Sequence, residues 1–241
     1  MGRTYNVHAG HCPQGQGASG AVGILQESVE DRAVKNEVIR LLRAEGHTVY
    51  DCTCDENTTK QGCLNKIVAK CNQHSVDLDI SIHLNSGRND YGGDGSTGGV
   101  EVWNYDTKTQ KISDRICEAI ATELGIHNRG TKYDKDLFVL ANTKSKALLV
   151  ECCFVDDADD AKAWDAKRCA KAIVRGILNK EISGTTGGST VSTVRRIGPG
   201  SAHLNSDCPI YDATWKNVII NAKQGDHITV LDSGTEGVKV R

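Results

Sequence analysis

The chain has 241 residues, of which 38% are apolar, 25% charged and 5% aromatic, with a formal net charge of −2. That length suits one medium domain with a real core plus a smaller appendage. The near-neutral balance and the scarcity of rings argue against nucleic acid or an anionic membrane surface as partners.

No run of apolar residues is long enough to span a bilayer, and the start, MGRTYNVHAGHC, lacks the apolar segment of a secretory signal. The expectation is a soluble chain made in the cytosol, with no membrane insertion. Ten cysteines without an export signal read as reduced, small, buried hydrophobes. Cys52, Cys54, Cys63 and Cys71 match the spacing of a structural zinc site poorly.

In chain order, residues 4–8 (TYNVH) read as a first strand running into the glycine-rich loop AGHCPQGQGASGAVG. This loop has no G-x-G-x-x-G and no G-K-S/T ending, so it is not a phosphate loop. From Glu27, Val29, Ala33, Val34, Val38, Leu41 and Leu42 recur at helical steps until Gly46. Glu27 falls in that helix's first turn, where the helix dipole favours a carboxylate. Residues 47–52 form a second strand, 55–63 a polar connection, and 65–72 part of a second helix.

Residues 76–86, VDLDISIHLNS, alternate with period two. Leu78, Ile80 and Ile82 share one strand face, Asp79, Ser81 and His83 the other, and the strand is expected to end at His83. In open α/β sheets ligands bind at the carboxyl ends of strands, so His83 and the polar residues after it occupy a chemically useful place. The following SGRNDYGGDGSTGG reads as a mobile active-site rim. A strand at 100–105 and a helix at 108–124 come next, then a buried apolar strand at 147–155 interrupted by one charge, Glu151. A carboxylate there is costly unless it is paired, protonated or kept for work. A single last helix is expected over 158–179, its aspartates at 156, 157, 159 and 160 complementing the dipole.

His11, Glu27 and His83 lie where such a fold could gather them. Two imidazoles and a carboxylate form a catalytic zinc ligand set that leaves a fourth position for water, with Glu151 as general base. His8 is a weaker ligand candidate. Cys12 beside a histidine invites a thiol-hydrolase reading, which needs an orienting third group as well. His47, His74 and His127 read as solvated or capping residues.

Four stretches, AGHC at 9–12, LQESVED at 25–31, SIHLN at 81–85 and LLVECCF at 148–154, together with NRGTKYDKDLFVL at 128–140, resemble the zinc-dependent N-acetylmuramoyl-L-alanine amidases, phage endolysins among them. The resemblance implies an α/β fold with an open, mostly parallel twisted sheet and helices on both faces. It assigns Zn2+ to His11, Glu27 and His83, and catalysis to Glu151. It also implies bacterial peptidoglycan as substrate, cut at the amide between the N-acetylmuramic acid lactyl group and L-alanine. Asn85 and Leu137 are placed by position along the substrate groove. The loop departs from the family's usual D-P-G-H-G form, since His8 and Cys12 flank the region of His11.

Two other readings stay open: a zinc peptidase cutting within the stem peptide, and a non-catalytic wall-binding protein. The expected organisation is a catalytic domain at 1–182, a flexible linker at 183–193 (SGTTGGSTVST) and a small β module at 194–241. That module contains two strand candidates around a G-D turn, is short for an independent core, and resembles a Src-homology-3-like wall-targeting domain that would bind wall polymers. The endolysin likeness implies accumulation in a host cytoplasm and holin-type release to the wall.

Overall fold

The structure, a computed structural model, describes residues 2–182 throughout, and beyond them the backbone of residues 200–203, 208–211, 218–222, 227–234 and 237–240. The chain divides into two units, Met1–Ile182 and Ser183–Arg241. The linker expected at 183–193 lies outside the described residues.

The first unit runs β1 (Thr4–Ala9), α1 (Glu27–Ala44), β2 (Thr48–Asp51), α2 (Lys60–Cys71), β3 (Leu78–Asn85) and β4 (Val100–Asn104). It continues with α3 (Gln110–Leu124), β5 (Asn128–Tyr133), α4 (Phe138–Asn142), β6 (Ala147–Phe154), α5 (Ala158–Ala163) and α6 (Ala166–Leu178). Six strands form one sheet in the order β2-β1-β3-β6-β4-β5. Neighbours are parallel except β4 and β6, which are antiparallel. A parallel neighbour needs a crossover, usually a helix. The chain leaves β3 through residues 86–99 without one, so it re-enters the sheet from the same end and β4 runs backwards.

Strand alternation sorts the sheet into two unlike faces. Tyr5, Val7, Leu78, Ile80, Ile82, Val100, Val102, Leu148 and Val150 pack against α1, α3 and α6 in the main core. The opposite face carries Asn6, His8, Asp79, Ser81, Glu101 and Leu149 and is covered by the short layer of α2 and α4. That second layer is built largely from Cys12, Cys52, Cys54, Cys63 and Cys71 with Ile67, Val139 and Leu140. Nine cysteines, all buried, are free thiols among the described residues, as their reading as small hydrophobes expects.

Several boundaries differ from the sequence reading. The second helix begins at Lys60, inside the expected polar connection, because the Thr59 hydroxyl caps it by accepting from Gly62 N at 3.1 Å. Strand β3 continues two residues past His83. Strand β5 was not expected, since NRGTKY has no apolar alternation; it is a half-exposed edge strand held by its ladder to β4. The single last helix is two, broken at Trp164 and Asp165: the Trp164 indole donates to Glu30 Oε2 at 2.7 Å, and Asp165 restarts the helix as a cap.

The rim after β3 is tied down rather than free. Asp156 accepts from the N–H groups of Gly87, Arg88 and Asn89, Asp159 from Gly95, and Asp160 from Gly99. The acidic run thus does more than complement a dipole, and Asp157 also caps α5.

The second unit contains β7 (Gly200–His203), β8 (Cys208–Tyr211), β9 (Val218–Ala222), β10 (His227–Gly234) and β11 (Gly237–Val240). Strands β7, β10 and β11 form one antiparallel sheet, and β8 and β9 another. The two strands read from VIINAKQGDHITVLDSG are β9 and β10. No described helix is long and apolar enough to cross a membrane.

The cap of α6 is open to a direct check. Asp165 is exposed, and its Oδ1 accepts from Lys167 N at 2.9 Å and Arg168 N at 3.0 Å. Asp165→Ala is expected to cost about 1 kcal/mol in chemical denaturation, and Asp165→Ser much less.

Candidate active site

Three chain segments meet at the carboxyl ends of β1 and β3. Gly10 N donates to Ile82 O at 3.0 Å, which holds the loop after β1 against β3 and brings His11 beside His83. The two imidazoles pack edge to face, with ring centroids 4.9 Å apart. Glu27, the first residue of α1, points its carboxylate between them: Oε1 lies 2.9 Å from His11 Nε2 and 3.0 Å from His83 Nδ1. The same oxygen accepts from Leu84 N at 3.2 Å, and Oε2 accepts from Ala21 N at 2.8 Å.

Two glycines make the approach feasible. A Cβ on Gly10 would stand 1.9 Å from the His83 ring. One on Gly20, whose φ is +75°, would stand 2.6 Å from Glu27 Oε2 and 2.7 Å from His11 Cδ2. Arg32 fixes the loop from behind, donating to His11 O at 2.8 Å, Cys12 O at 3.3 Å and Cys54 O at 3.0 Å.

Burial pushes the Glu27 carboxyl up, but the two imidazoles outweigh it and hold its pKa well below the carboxylate range. Burial pulls His11 down while Glu27 pulls it up, with a net rise. For His83 burial dominates, and the ring is held toward its neutral form.

His11, Glu27 and His83 are a set that could hold a metal ion, each offering one donor atom with all three atoms within 4.8 Å of one another. Donors bound to zinc at about 2.0–2.1 Å in a tetrahedral shell stand roughly 3.3 Å apart. The observed Glu27 contacts are slightly shorter, so small outward movements would admit the ion.

Glu151 sits on β6 in register with His83 on the same sheet face. Its Oε2 is buried with no hydrogen-bond partner. Burial, then the charges of Glu27 and Glu101, raise its pKa well above the ordinary value. The six residues that the resemblance and their position assign to the site, namely His11, Glu27, His83, Asn85, Leu137 and Glu151, line one cavity of about 430 Å³. A hollow of about 500 Å³ among Arg115, Glu118 and Arg175 on the α3 and α6 side contains none of the convergent donor sets found among the described residues.

His8 is not in the convergent set. It is fully buried, its Nδ1 3.3 Å from Ala9 O, and burial followed by the neighbouring His83 lowers its pKa to about 3. The Cys12 sulfur turns away to Thr58 O at 3.9 Å, so the thiol-hydrolase reading finds no support. His74 stacks on Tyr50 at 3.6 Å, and His47 Nδ1 accepts from Arg3 N at 3.0 Å.

Glu101 escaped the sequence reading. Only 4% exposed, it faces Glu151 across the β4 and β6 ladder. It accepts from Asn85 Nδ2 at 2.9 Å, Trp103 Nε1 at 3.2 Å and Arg129 Nε at 2.7 Å. Its signal was present in VEVW, where the charge alternates with valines that face the core.

An α/β sheet whose strand ends gather two imidazoles and two carboxylates around a cavity has the layout of a hydrolytic metal centre. The chain belongs to the N-acetylmuramoyl-L-alanine amidase family, whose model matches residues 6–179. It is similar to an uncharacterized protein of Clostridium perfringens (strain 13 / Type A), with 34% identity over 173 residues, covering 68% of this chain and 49% of that one. A second Clostridium perfringens relative, an uncharacterized 38.4 kDa protein, shares 33% identity over 176 residues, or 69% of this chain and 50% of its own. The chain thus spans about half the length of these two relatives.

Among solved structures, the catalytic domain of the CD27L endolysin targeting Clostridia Difficile aligns with a TM-score of 0.66 and 30% identity, covering 75% of this chain and 99% of that one. The catalytic domain of CwlV, an N-acetylmuramoyl-L-alanine amidase from Bacillus (Paenibacillus) polymyxa var. colistinus, aligns with a TM-score of 0.61 and 25% identity, covering 73% and 97%.

The raised Glu151 pKa has a consequence for stability. The folded chain holds the proton more tightly than the unfolded one, so this residue lowers stability as pH rises above the unfolded value. In chelated protein, Glu151→Gln is expected to raise the melting temperature at about pH 7.5 and to change it little near about pH 4. Equal or lower melting temperatures for the variant at both pH values would contradict the assignment.

Proposed function

We propose that residues 1–182 form a zinc-dependent amidase that hydrolyses peptidoglycan between the lactyl group of N-acetylmuramic acid and the L-alanine of the stem peptide. The observation that carries this reading is the pairing of Glu27 Oε1, within 3.0 Å of two imidazole nitrogens, with an unpartnered Glu151 Oε2 in the same cavity. Membership of the amidase family supports the bond and the substrate.

His11 Nε2, His83 Nδ1 and a Glu27 oxygen would hold the ion. Bound there, zinc would supply Lewis acidity, polarising the scissile carbonyl and acidifying water. Glu151 takes the proton of the attacking water as its oxygen bonds to the lactyl carbonyl carbon. As the carbon–nitrogen bond breaks, Glu151 returns that proton to the departing L-alanine nitrogen. The positive charge of a bound ion would favour the ionised form of Glu151, which the first half of this exchange requires. Glu101 keeps Asn85 fixed at the cavity edge, where Asn85 and Leu137 line the substrate path.

The second unit is proposed to hold wall polymers and raise the local substrate concentration. Its antiparallel strands are compatible with a small wall-targeting module. Likeness to an endolysin catalytic domain supports release from a host cytoplasm by a holin-type pore as part of this reading. Removing residues 183–241 is expected to weaken sedimentation with purified walls while leaving turnover of a soluble muramoyl peptide intact.

The reading is tested on purified peptidoglycan digested by zinc-loaded and chelated protein, with new end groups identified. New lactyl carboxyls and L-alanine amines are expected only with zinc. Ends within the stem peptide would favour a peptidase, and no new ends would favour a binding protein. Glu151→Gln is expected to lower turnover by about 10²–10⁴-fold with zinc content unchanged. His11→Ala and His83→Ala are expected to lose zinc, and unchanged stoichiometry in them would remove these ligands.

A further inference from the structure

The cysteine-rich layer holds a second convergent donor set. The sulfurs of Cys12, Cys54 and Cys63 lie within 4.8 Å of one another. All three residues are buried, at 0%, 1% and 2% exposure. They come from three separate segments: the loop after β1, the chain leaving β2, and the first turns of α2. We propose that these thiols form a second, structural site for a thiophilic d10 cation, Zn2+ or Cu+, bound as a tris-thiolate.

Zinc–sulfur bonds of about 2.3 Å place bound sulfurs roughly 3.8–4.0 Å apart, so rotamer adjustments of less than an ångström would close the set. Thiolates select zinc and copper(I) over the hard cations that prefer oxygen. Binding is a proton exchange with no change of oxidation state: three S–H bonds break, three metal–sulfur bonds form, and three protons leave to solvent. With Zn2+ the product carries one negative charge. Arg32 donates to the carbonyls of both Cys12 and Cys54 and so holds two of the ligand segments together, its own charge being paired with Asp55 at 3.1 Å.

The other neighbouring cysteines differ in kind. Cys52 lies against Cys71, and Cys152 against Cys169, as pairs. Packing alone explains two sulfurs in contact in an apolar layer; three from distant segments give a closed donor triangle. A cation there would cross-link the loop carrying His11 to α2, which makes it a structural clamp on a neighbouring ligand loop and not a second reaction centre.

The test uses the full chain, stripped of metal and kept reduced without air, titrated with Cd2+ while thiolate-to-metal charge-transfer absorption is followed. Sulfur donors give this band; the His11, Glu27 and His83 set has none. The expected result is two equivalents bound per chain, one of which builds the band. Cys54→Ser and Cys63→Ser each lose the band and one equivalent, whereas His83→Ala keeps the band and loses the other. Parallel titrations with Zn2+ and Cu+, competing against Cd2+, decide which ion is held more tightly. Should the serine variants fail to fold, alkylation of the native chain replaces them, with Cys12, Cys54 and Cys63 expected to be protected together by metal. The absence of a thiolate band, a band surviving both serine variants, unprotected thiols, or a disulfide among the three in air-free protein would each overturn the proposal.

Discussion

The carboxylate of Glu27 is the interaction on which the rest of the site depends. A buried charge is costly unless it is paired and hydrogen-bonded. Here Oε1 meets two imidazole nitrogens and the Leu84 N–H, and Oε2 takes the Ala21 N–H. One side chain thereby joins the loop after β1, the start of α1 and the end of β3. The helix dipole favours a carboxylate in a first turn, so the backbone and the imidazoles pull in the same direction. Gly10 and Gly20 are the steric counterpart, since a methyl group at either position would occupy the space where the rings and carboxylate meet.

The sheet explains why polar groups accumulate on this side. Its apolar face is sealed by three helices, so aliphatic side chains of β1, β3, β4 and β6 satisfy the core requirement there. Alternation then sends every second residue to the face under α2 and α4. That smaller layer buries Asn6, which donates to Asp79 Oδ1 at 2.5 Å and Cys71 O at 3.0 Å, but toward the strand ends the cavity begins. His83 and Glu151 stand in register at that opening, consistent with the placement of ligands at the carboxyl ends of strands in open α/β sheets.

Much of this was legible in the residues. The alternation in LDISIH separated the faces correctly, and Glu151 stood out because it interrupts an otherwise apolar strand. The helical period after Glu27 marked α1 at its first residue. What escaped depends on contacts distant in the chain. Strand β5 has no apolar pattern because it is an edge strand whose order comes from its ladder to β4. Arg32 reads as one more charge on an amphipathic helix, yet its guanidinium holds three carbonyls of the His11 and Cys54 segments. The Cys12, Cys54 and Cys63 triangle follows no linear spacing rule, since a loop, a strand exit and a helix each bring one sulfur.

The buried carboxylates divide by how they are satisfied, and that division points to chemistry. Glu27 and Glu101 have their donors, and Asp160 accepts from Phe154 N and Gly99 N. Asp31 is wholly buried, and neither of its oxygens has a hydrogen-bond partner. Burial raises its pKa to about 7, against the nearby Arg32 charge. It sits one turn beyond Glu27 and does not line the cavity. Glu151 combines an unpartnered buried oxygen with a place in the cavity wall beside two imidazoles. A fold that needed only packing at this position would be served better by an aliphatic residue, as at Leu149 two places earlier on the same face. An acid is kept there at a cost to stability, with one oxygen left free to meet whatever enters the cavity.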